Sequence, residues 1–162
     1  MFHDKREFEF VATLEANWQG IRDECRAVQA QMREYVERDL YDHGWNVFIM
    51  ANFPHREAIR GNDVQCPFTS ELVRRIVPRP GVICFSRMDA HTEIHPHTGY
   101  KGQYLRCHLG LEVPEGDCAL KVGEEEHRWR EGEALVFDDR TLHSAWNRTA
   151  LPRTVLLFDF IP

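Results

Sequence analysis

Four ionisable side chains crowd into the segment His91-Thr92-Glu93-Ile94-His95-Pro96-His97-Thr98-Gly99 of a chain that carries nine histidines in all. On a strand, where successive side chains alternate, His91, Glu93, His95 and His97 share one side. So many ionisable groups facing one way suit a polar pocket better than a packed core, although a solvent-facing strand explains His91 and Glu93 equally well. Further along, Arg106 and His108 share one strand face, while Leu105, Cys107, Leu109 and Leu111 take the other. An arginine on so apolar a strand is not an ordinary surface residue. Arg153, ten residues after His143, reads on its own as one. Other conspicuous residues have plainer explanations: Glu124-Glu125-Glu126 as a solvated hairpin tip, Asp138-Asp139 as the shape of a turn, and Trp129 and Trp146 as packing. Cys107, between apolar neighbours, is no candidate nucleophile.

The elements that must position these residues fall into two halves. Phe10, Leu14, Trp18, Ile21, Cys25, Val28, Met32 and Tyr35 recur at steps of three or four, which predicts helix with one apolar face. Gly20 weakens that helix by up to ~1 kcal/mol relative to Ala. His43-Gly44 ends the region, Trp45 to Met50 reads as a strand, and Phe53 to Gln65 as a surface loop. A short helix follows Cys66-Pro67, with Thr69 or Ser70 as N-cap, and ends before Pro78. From Gly81 onward, strands are expected near 82–88, 91–97, 103–113, 118–122, 126–130, 134–138, 142–147 and 153–160, punctuated by Pro80-Gly81, Pro114-Glu115-Gly116, Gly123-Glu124 and Glu131-Gly132-Glu133. Short strands at this spacing without intervening helices mean a sandwich, jelly roll or small barrel.

Composition narrows the function classes. The 162 residues fit a single domain, 1–162, with a helical and strand lead-in to about residue 80 and a β core over about 81–162. A formal net charge of -6, and no Lys/Arg-rich block, argue against nucleic acid as a partner. Apolar runs such as Val155 to Phe158 are too short to span a bilayer, and the charged N-terminus lacks the apolar core of a signal peptide. Five scattered cysteines without a Cys-x-x-Cys pair read as reduced, buried thiols. The expectation is a cytoplasmic protein with no membrane partner and an open oligomeric state.

The stretch Gly132 to Asn147, with His143 at a strand start and Asp138 and Arg140 at positions usually held by Pro and Gly, resembles the second cupin motif. His95-Pro96-His97 resembles the His-x-His of the first, but no Glu follows three to five residues after His97, so a three-His-one-Glu site is poorly supported. A fuller resemblance runs along nearly the whole chain. Pro96-His97-Thr98-Gly99, Arg106-Cys107-His108-Leu109-Gly110-Leu111, Trp129-Arg130-Glu131-Gly132, Phe137-Asp138-Asp139, His143-Ser144-Ala145-Trp146 and Arg153 occur in the order found in the aspartyl/asparaginyl β-hydroxylases. These are a branch of the Fe(II)/2-oxoglutarate oxygenases, and Glu15-Ala16-Asn17-Trp18 and Gly44-Trp45 resemble the family's lead-in.

The resemblance implies a mainly β fold, a double-stranded β-helix of jelly-roll, cupin-like form with an N-terminal helical layer. It implies Fe(II) held by His97 and His143, with Gly99 where other oxygenases place a carboxylate and water completing the sphere. It implies 2-oxoglutarate as co-substrate and O2 as oxidant. Arg153 and Ser86 would receive the distal carboxylate of 2-oxoglutarate, and Arg106 and His108 would lie beside its keto-acid end. Trp45 lies toward the family's substrate side. Tyr104 stands where substrate-binding relatives carry a basic residue, so a side-chain carboxylate need not be the group recognised. The expected function is a hydroxylase acting at an unactivated carbon of an amino acid, a carrier-tethered aminoacyl group or a short peptide. A cupin-like binding protein with a non-catalytic metal site, and a related halogenase, are the alternatives. Whether His91, Glu93 or His95 contribute to the site stays open at this level.

Overall fold

Strands from residue 80 onward build two facing sheets, the larger of which buries one face under helices and the other against the smaller sheet. The computed structural model describes residues 1–52, 57–58, 61–100 and 102–162. Its helices are α1 (Phe10–Ala16), α2 (Trp18–Val28) and α3 (Pro67–Ile76). Its strands are β1 (Phe2–His3), β2 (Arg33–Glu34), β3 (Trp45–Asn52), β4 (Glu57–Ala58), β5 (Pro80–Met88), β6 (Thr92–His97), β7 (Leu105–Glu112), β8 (Cys118–Val122), β9 (Glu125–Arg128), β10 (Ala134–Phe137), β11 (His143–Asn147) and β12 (Arg153–Phe160). The larger sheet runs β1-β10-β7-β12-β5-β3-β2, with β4 paired to β3, and the smaller runs β6-β11-β8-β9. All these pairings are antiparallel. Two facing sheets of this topology, one backed by helices, make a double-stranded β-helix with an N-terminal helical layer.

Two apolar clusters hold it together. One lies between the helices and the large sheet, where Leu14, Ile21, Cys25 and Val73 meet Cys107, Leu109, Leu156 and Phe158. The other lies between the sheets, where Leu120, Val122 and Ala145 meet Phe137, Val155 and Leu157. The site opens into this second layer.

Several expectations change. The N-terminal helix breaks at Asn17 into two and ends at Val28, so Met32 and Tyr35 lie beyond it. Tyr35 instead packs on Trp45, ring centroids 4.2 Å apart. Gly20 costs helix propensity for a steric reason: a Cβ there would meet Phe68 Cε1 at 2.7 Å. Neither Thr69 nor Ser70 caps α3; both are buried inside it. Its first free N–H groups, on Phe68 and Thr69, donate to the Glu24 carboxylate of α2 at 2.9 and 2.8 Å, an acceptor well suited to a helix start. Of the expected 53–65 loop, residues 53–56 and 59–60 lie outside the described residues. The remainder contains β4 and a single 3₁₀ turn at Asp63–Gln65.

Candidate functional site

His97 ends β6 and His143 begins β11, and the antiparallel register sets them directly opposite one another. Their ring centroids are 4.3 Å apart. His97 Nδ1 donates to the His95 carbonyl at 2.8 Å, and His143 Nδ1 donates to the Thr141 carbonyl at 2.9 Å. A carbonyl only accepts, so each Nδ1 carries the hydrogen and a neutral ring keeps its lone pair on Nε2. Burial keeps both rings neutral: it pushes His143 down to about 4 and His97 below its ordinary value. Fixing Nδ1 to a backbone carbonyl is how proteins orient a histidine for metal ligation through Nε2. The donor set therefore fits a divalent first-row metal. Among the described residues, no three His, Cys, Asp or Glu side chains group to hold a metal ion.

Beside the histidines lie two unpartnered cationic or polar donors. Trp129 Nε1 donates to His108 Nδ1 at 3.3 Å. An indole N–H cannot accept, so neutral His108 bears its hydrogen on Nε2, and that nitrogen is buried without a partner. Burial, and after it the Arg153 charge, hold His108 well below the usual histidine range. Arg153, at the start of β12, is 1% exposed. One terminal nitrogen donates to the Ser86 carbonyl at 3.2 Å, and the guanidinium stacks 4.3 Å from the Trp129 ring centroid. Its Nε has no partner, and no described carboxylate pairs with it. Burial alone pulls its pKa down. With Ser86, Trp45, His97 and His143, these donors line a cavity of about 30 Å³. Trp45 closes part of it by donating from Nε1 to Ser86 Oγ at 3.0 Å.

Arg106 has a different environment. Its Nε and one terminal nitrogen bond the two oxygens of Asp159 at 2.7 and 2.9 Å, and the same terminal nitrogen lies 3.0 Å from Asp139 Oδ2. Burial opposes its charge, but Asp159 and Asp139 override that and raise its pKa. Burial raises Asp139 in turn. Asp139 also decides the space beside Gly99. The Gly99 N–H donates to the Asp139 carbonyl at 2.7 Å, and a Cβ on Gly99 would meet Asp139 Oδ2 at 2.0 Å. The space a side chain on Gly99 would enter is occupied by the carboxylate of another segment.

A second cavity, of about 250 Å³, opens beside His97 and shares Trp45, Arg106 and Leu157 with the first. The structure thus brings together His97, His143, Ser86, Arg106, His108, Arg153 and Trp45. Tyr104 lines neither of these cavities; its ring covers Gly81, where a Cβ would meet it at 3.0 Å and Asp159 Cβ at 3.5 Å. His91 sits in the exposed turn before β6, Glu93 pairs with Arg148 on the surface, and His95 is exposed with Nδ1 near the Asp39 carbonyl. Sequence reading missed Asp139 and Asp159 and took Trp129 for packing alone. The Trp129 and Asp139 positions stand inside the segments Trp129-Arg130-Glu131-Gly132 and Phe137-Asp138-Asp139, which were the available signal.

A family model described as aspartyl/asparaginyl beta-hydroxylase matches residues 15–162. The chain is 32% identical over 157 residues to the human aspartyl/asparaginyl beta-hydroxylase, a match covering 93% of this chain and 21% of that protein. It is 32% identical over 170 residues to the ornithine lipid ester-linked acyl 2-hydroxylase of Rhizobium tropici, covering 98% and 59%. The chain thus spans about a fifth of the first relative and about three fifths of the second. Among solved structures it resembles a Pseudomonas putida prolyl-4-hydroxylase, with TM-score 0.62, 15% identity and coverage of 90% and 86%. It also resembles HygX from Streptomyces hygroscopicus, solved with nickel and 2-oxoglutarate, with TM-score 0.58, 10% identity and coverage of 89% and 79%. At these identities the structural likeness is one of fold.

Proposed function

This chain belongs to the aspartyl/asparaginyl β-hydroxylase family, within the 2-oxoglutarate/Fe(II)-oxygenase superfamily, and from that premise we propose that it is a hydroxylase using Fe(II), 2-oxoglutarate and O2. The observation that carries the reading is the juxtaposition of two tautomer-fixed histidines, His97 and His143, with two buried unpartnered donors, His108 Nε2 and Arg153 Nε. When bound, iron with 2-oxoglutarate and O2 would supply an oxidant able to convert C–H into C–OH, with succinate and CO2 as the other products.

The chain's own residues hold, orient and exclude. His97 and His143 would hold the metal through Nε2. Arg153, a buried cation with no carboxylate partner among the described residues, would receive the distal carboxylate of 2-oxoglutarate with help from the Ser86 hydroxyl. His108 offers Nε2–H toward the keto-acid end, and Arg106 stands beside it, held by Asp159 and Asp139. Trp45 and Leu157, common to both cavities, exclude water between the co-substrate and substrate sides.

We take residues 1–162 to act as one catalytic unit, with a lead-in to about residue 80 and the β-helix core beyond it. No helix among the described residues is long and apolar enough to cross a membrane. All five cysteines are free and buried, which supports a cytoplasmic setting. The proposed substrate is a small molecule, a carrier-bound aminoacyl group or a short peptide, and no nucleic acid is involved. The relatives' names span an amino-acid side chain and a lipid acyl chain, so the name alone does not choose. The test is succinate formation that requires both Fe(II) and 2-oxoglutarate, joined to a mass-spectrometric screen for gain of one oxygen. Succinate formation unaffected by His97→Ala would overturn the assignment.

A further inference from the structure

The cavity beside His97 discriminates between substrate chemistries, an inference that rests on the hydroxylase reading above. Leu40, Trp45, Val47, Ile49, Val82 and Leu157 give it a mainly apolar wall around about 250 Å³, and Thr98, Gly99 and Tyr100 line the side next to His97. Among the described residues two charged side chains line it, Arg106 and Glu37. Arg106 cannot serve as receptor for a substrate carboxylate, because Asp159 binds it bidentately and Asp139 adds a second negative charge. The three together carry a formal charge of -1. Glu37 is exposed, sits at the mouth, and accepts from the Tyr35 hydroxyl at 3.0 Å. The wall segment around it adds Glu34, Asp39 and Asp42 against Arg33 and Arg38.

Among the described residues, an acidic side chain entering this cavity would lose its water and meet no protein cation other than Arg106, already paired. By the penalty for an uncompensated buried charge, that lowers affinity on the order of a hundredfold or more. An aliphatic chain gains from every wall residue it covers. We propose that the substrate enters this cavity as an uncharged aliphatic chain bearing a cationic amine that stays at the Glu37 mouth, and that an aspartyl-type carboxylate is rejected.

The test uses the full chain, with and without added Fe(II) and 2-oxoglutarate, and four probes: n-octylamine, n-octanol, octanoate and N-acetyl-L-aspartate amide, each followed by calorimetry and ligand-observed NMR. Octylamine should bind best, octanol next, octanoate weakly and the aspartate amide not at all. Ile49→Trp, which fills the cavity, should abolish octylamine binding, and Leu40→Trp at the mouth provides a second block if the first variant fails to fold. Glu37→Gln should weaken octylamine roughly two- to fivefold, as for an exposed ion pair, and leave octanol unchanged. Preference for the aspartate amide overturns the proposal. So does octylamine binding that survives both blocking variants, loss of all probe binding in a folded chain, or an octylamine affinity untouched by Glu37→Gln. The hydroxylase reading is judged separately, by 2-oxoglutarate binding to the same chain. Its failure leaves the probe arms intact, and failure of the probes leaves 2-oxoglutarate binding intact.

Discussion

Replacing Arg153 with Met separates stability from ligand binding in a direction that simple contact counting would miss. Arg153 is 1% exposed and has no described carboxylate partner. Removing such a charge from water costs several kcal/mol even after relaxation. Two interactions offset this. The stacked Trp129 ring, at 4.3 Å, contributes about 2 kcal/mol when desolvated. The hydrogen bond to the Ser86 carbonyl contributes roughly 1.5–3 kcal/mol. The terms nearly cancel in the ligand-free fold, so Arg153→Met should leave its stability within about 1 kcal/mol of the parent or raise it by up to roughly 4 kcal/mol. The parent should gain from a dicarboxylate: at a hundred times Kd, binding adds about 2.7 kcal/mol, which for a chain of this size raises Tm by roughly 5–11 °C. The Met variant should show no such rise. Thermal unfolding with and without 2-oxoglutarate measures both effects in one experiment. A variant that loses more than about 3 kcal/mol without ligand would show that Arg153 is fully compensated in the fold. A variant that keeps the full ligand shift would place the anion site elsewhere.

His97→Ala and His143→Ala should each abolish iron-dependent turnover and weaken metal binding while the fold survives, and full activity in His143→Ala would refute the metal assignment. Trp129→Phe keeps the ring under Arg153 but removes the N–H that fixes His108; 2-oxoglutarate affinity should fall about two- to tenfold with iron affinity unchanged. Nitrogen NMR should show His108 losing its Nε2–H tautomer, and a tautomer that stays fixed would deny Trp129 this role. Gly99→Asp should destabilise by at least about 1–3 kcal/mol, because its Cβ enters the Asp139 carboxylate; adding Asp139→Ala should relieve part of that loss, and strict additivity of the two changes would contradict the contact. Burial pushes the Cys84 thiol up to about 12, so it stays protonated below that pH; native protein should resist alkylation at pH 8, with reactivity rising as pH approaches 12, and rapid labelling of Cys84 at pH 8 in the folded chain would show that the thiol is not buried as described.

Much of the β core was legible because its strands obey a period of two. In β7, Leu105, Cys107, Leu109 and Leu111 are all buried under the helices, as their alternation implies. The helical lead-in misled for a related reason. Apolar residues at steps of three or four continue to Tyr35, past the last helical turn, because the extended segment that follows also buries a side chain, Tyr35, against Trp45. No Gly or Pro marks the change at Val28, so the periodicity has nothing to stop it. The cap of α3 was beyond local reading, since its acceptor, Glu24, comes from another helix. Strands β1 and β2 are two residues long and carry no pattern at all.

At the site, residue identity was legible and electrical state was not. The sequence presents Arg106 and Arg153 as two arginines of similar promise near the same histidines. Register separates them. Arg106 on β7 stands opposite Asp159 on β12, a pairing across 53 positions that no local motif displays. The turn before β11 then delivers Asp139 to the same guanidinium and to the space beside Gly99. Among the described residues Arg153 meets no such partner; it meets an aromatic face and one carbonyl. A buried cation with its counter-charges in place is a strut, and a buried cation without them is a receptor. In the proposed site, then, Arg153 is the residue left to answer the co-substrate's charge. Arg106, already answered, leaves the neighbouring cavity without an unpaired arginine among the described residues, which is the basis for proposing that it rejects an acidic substrate.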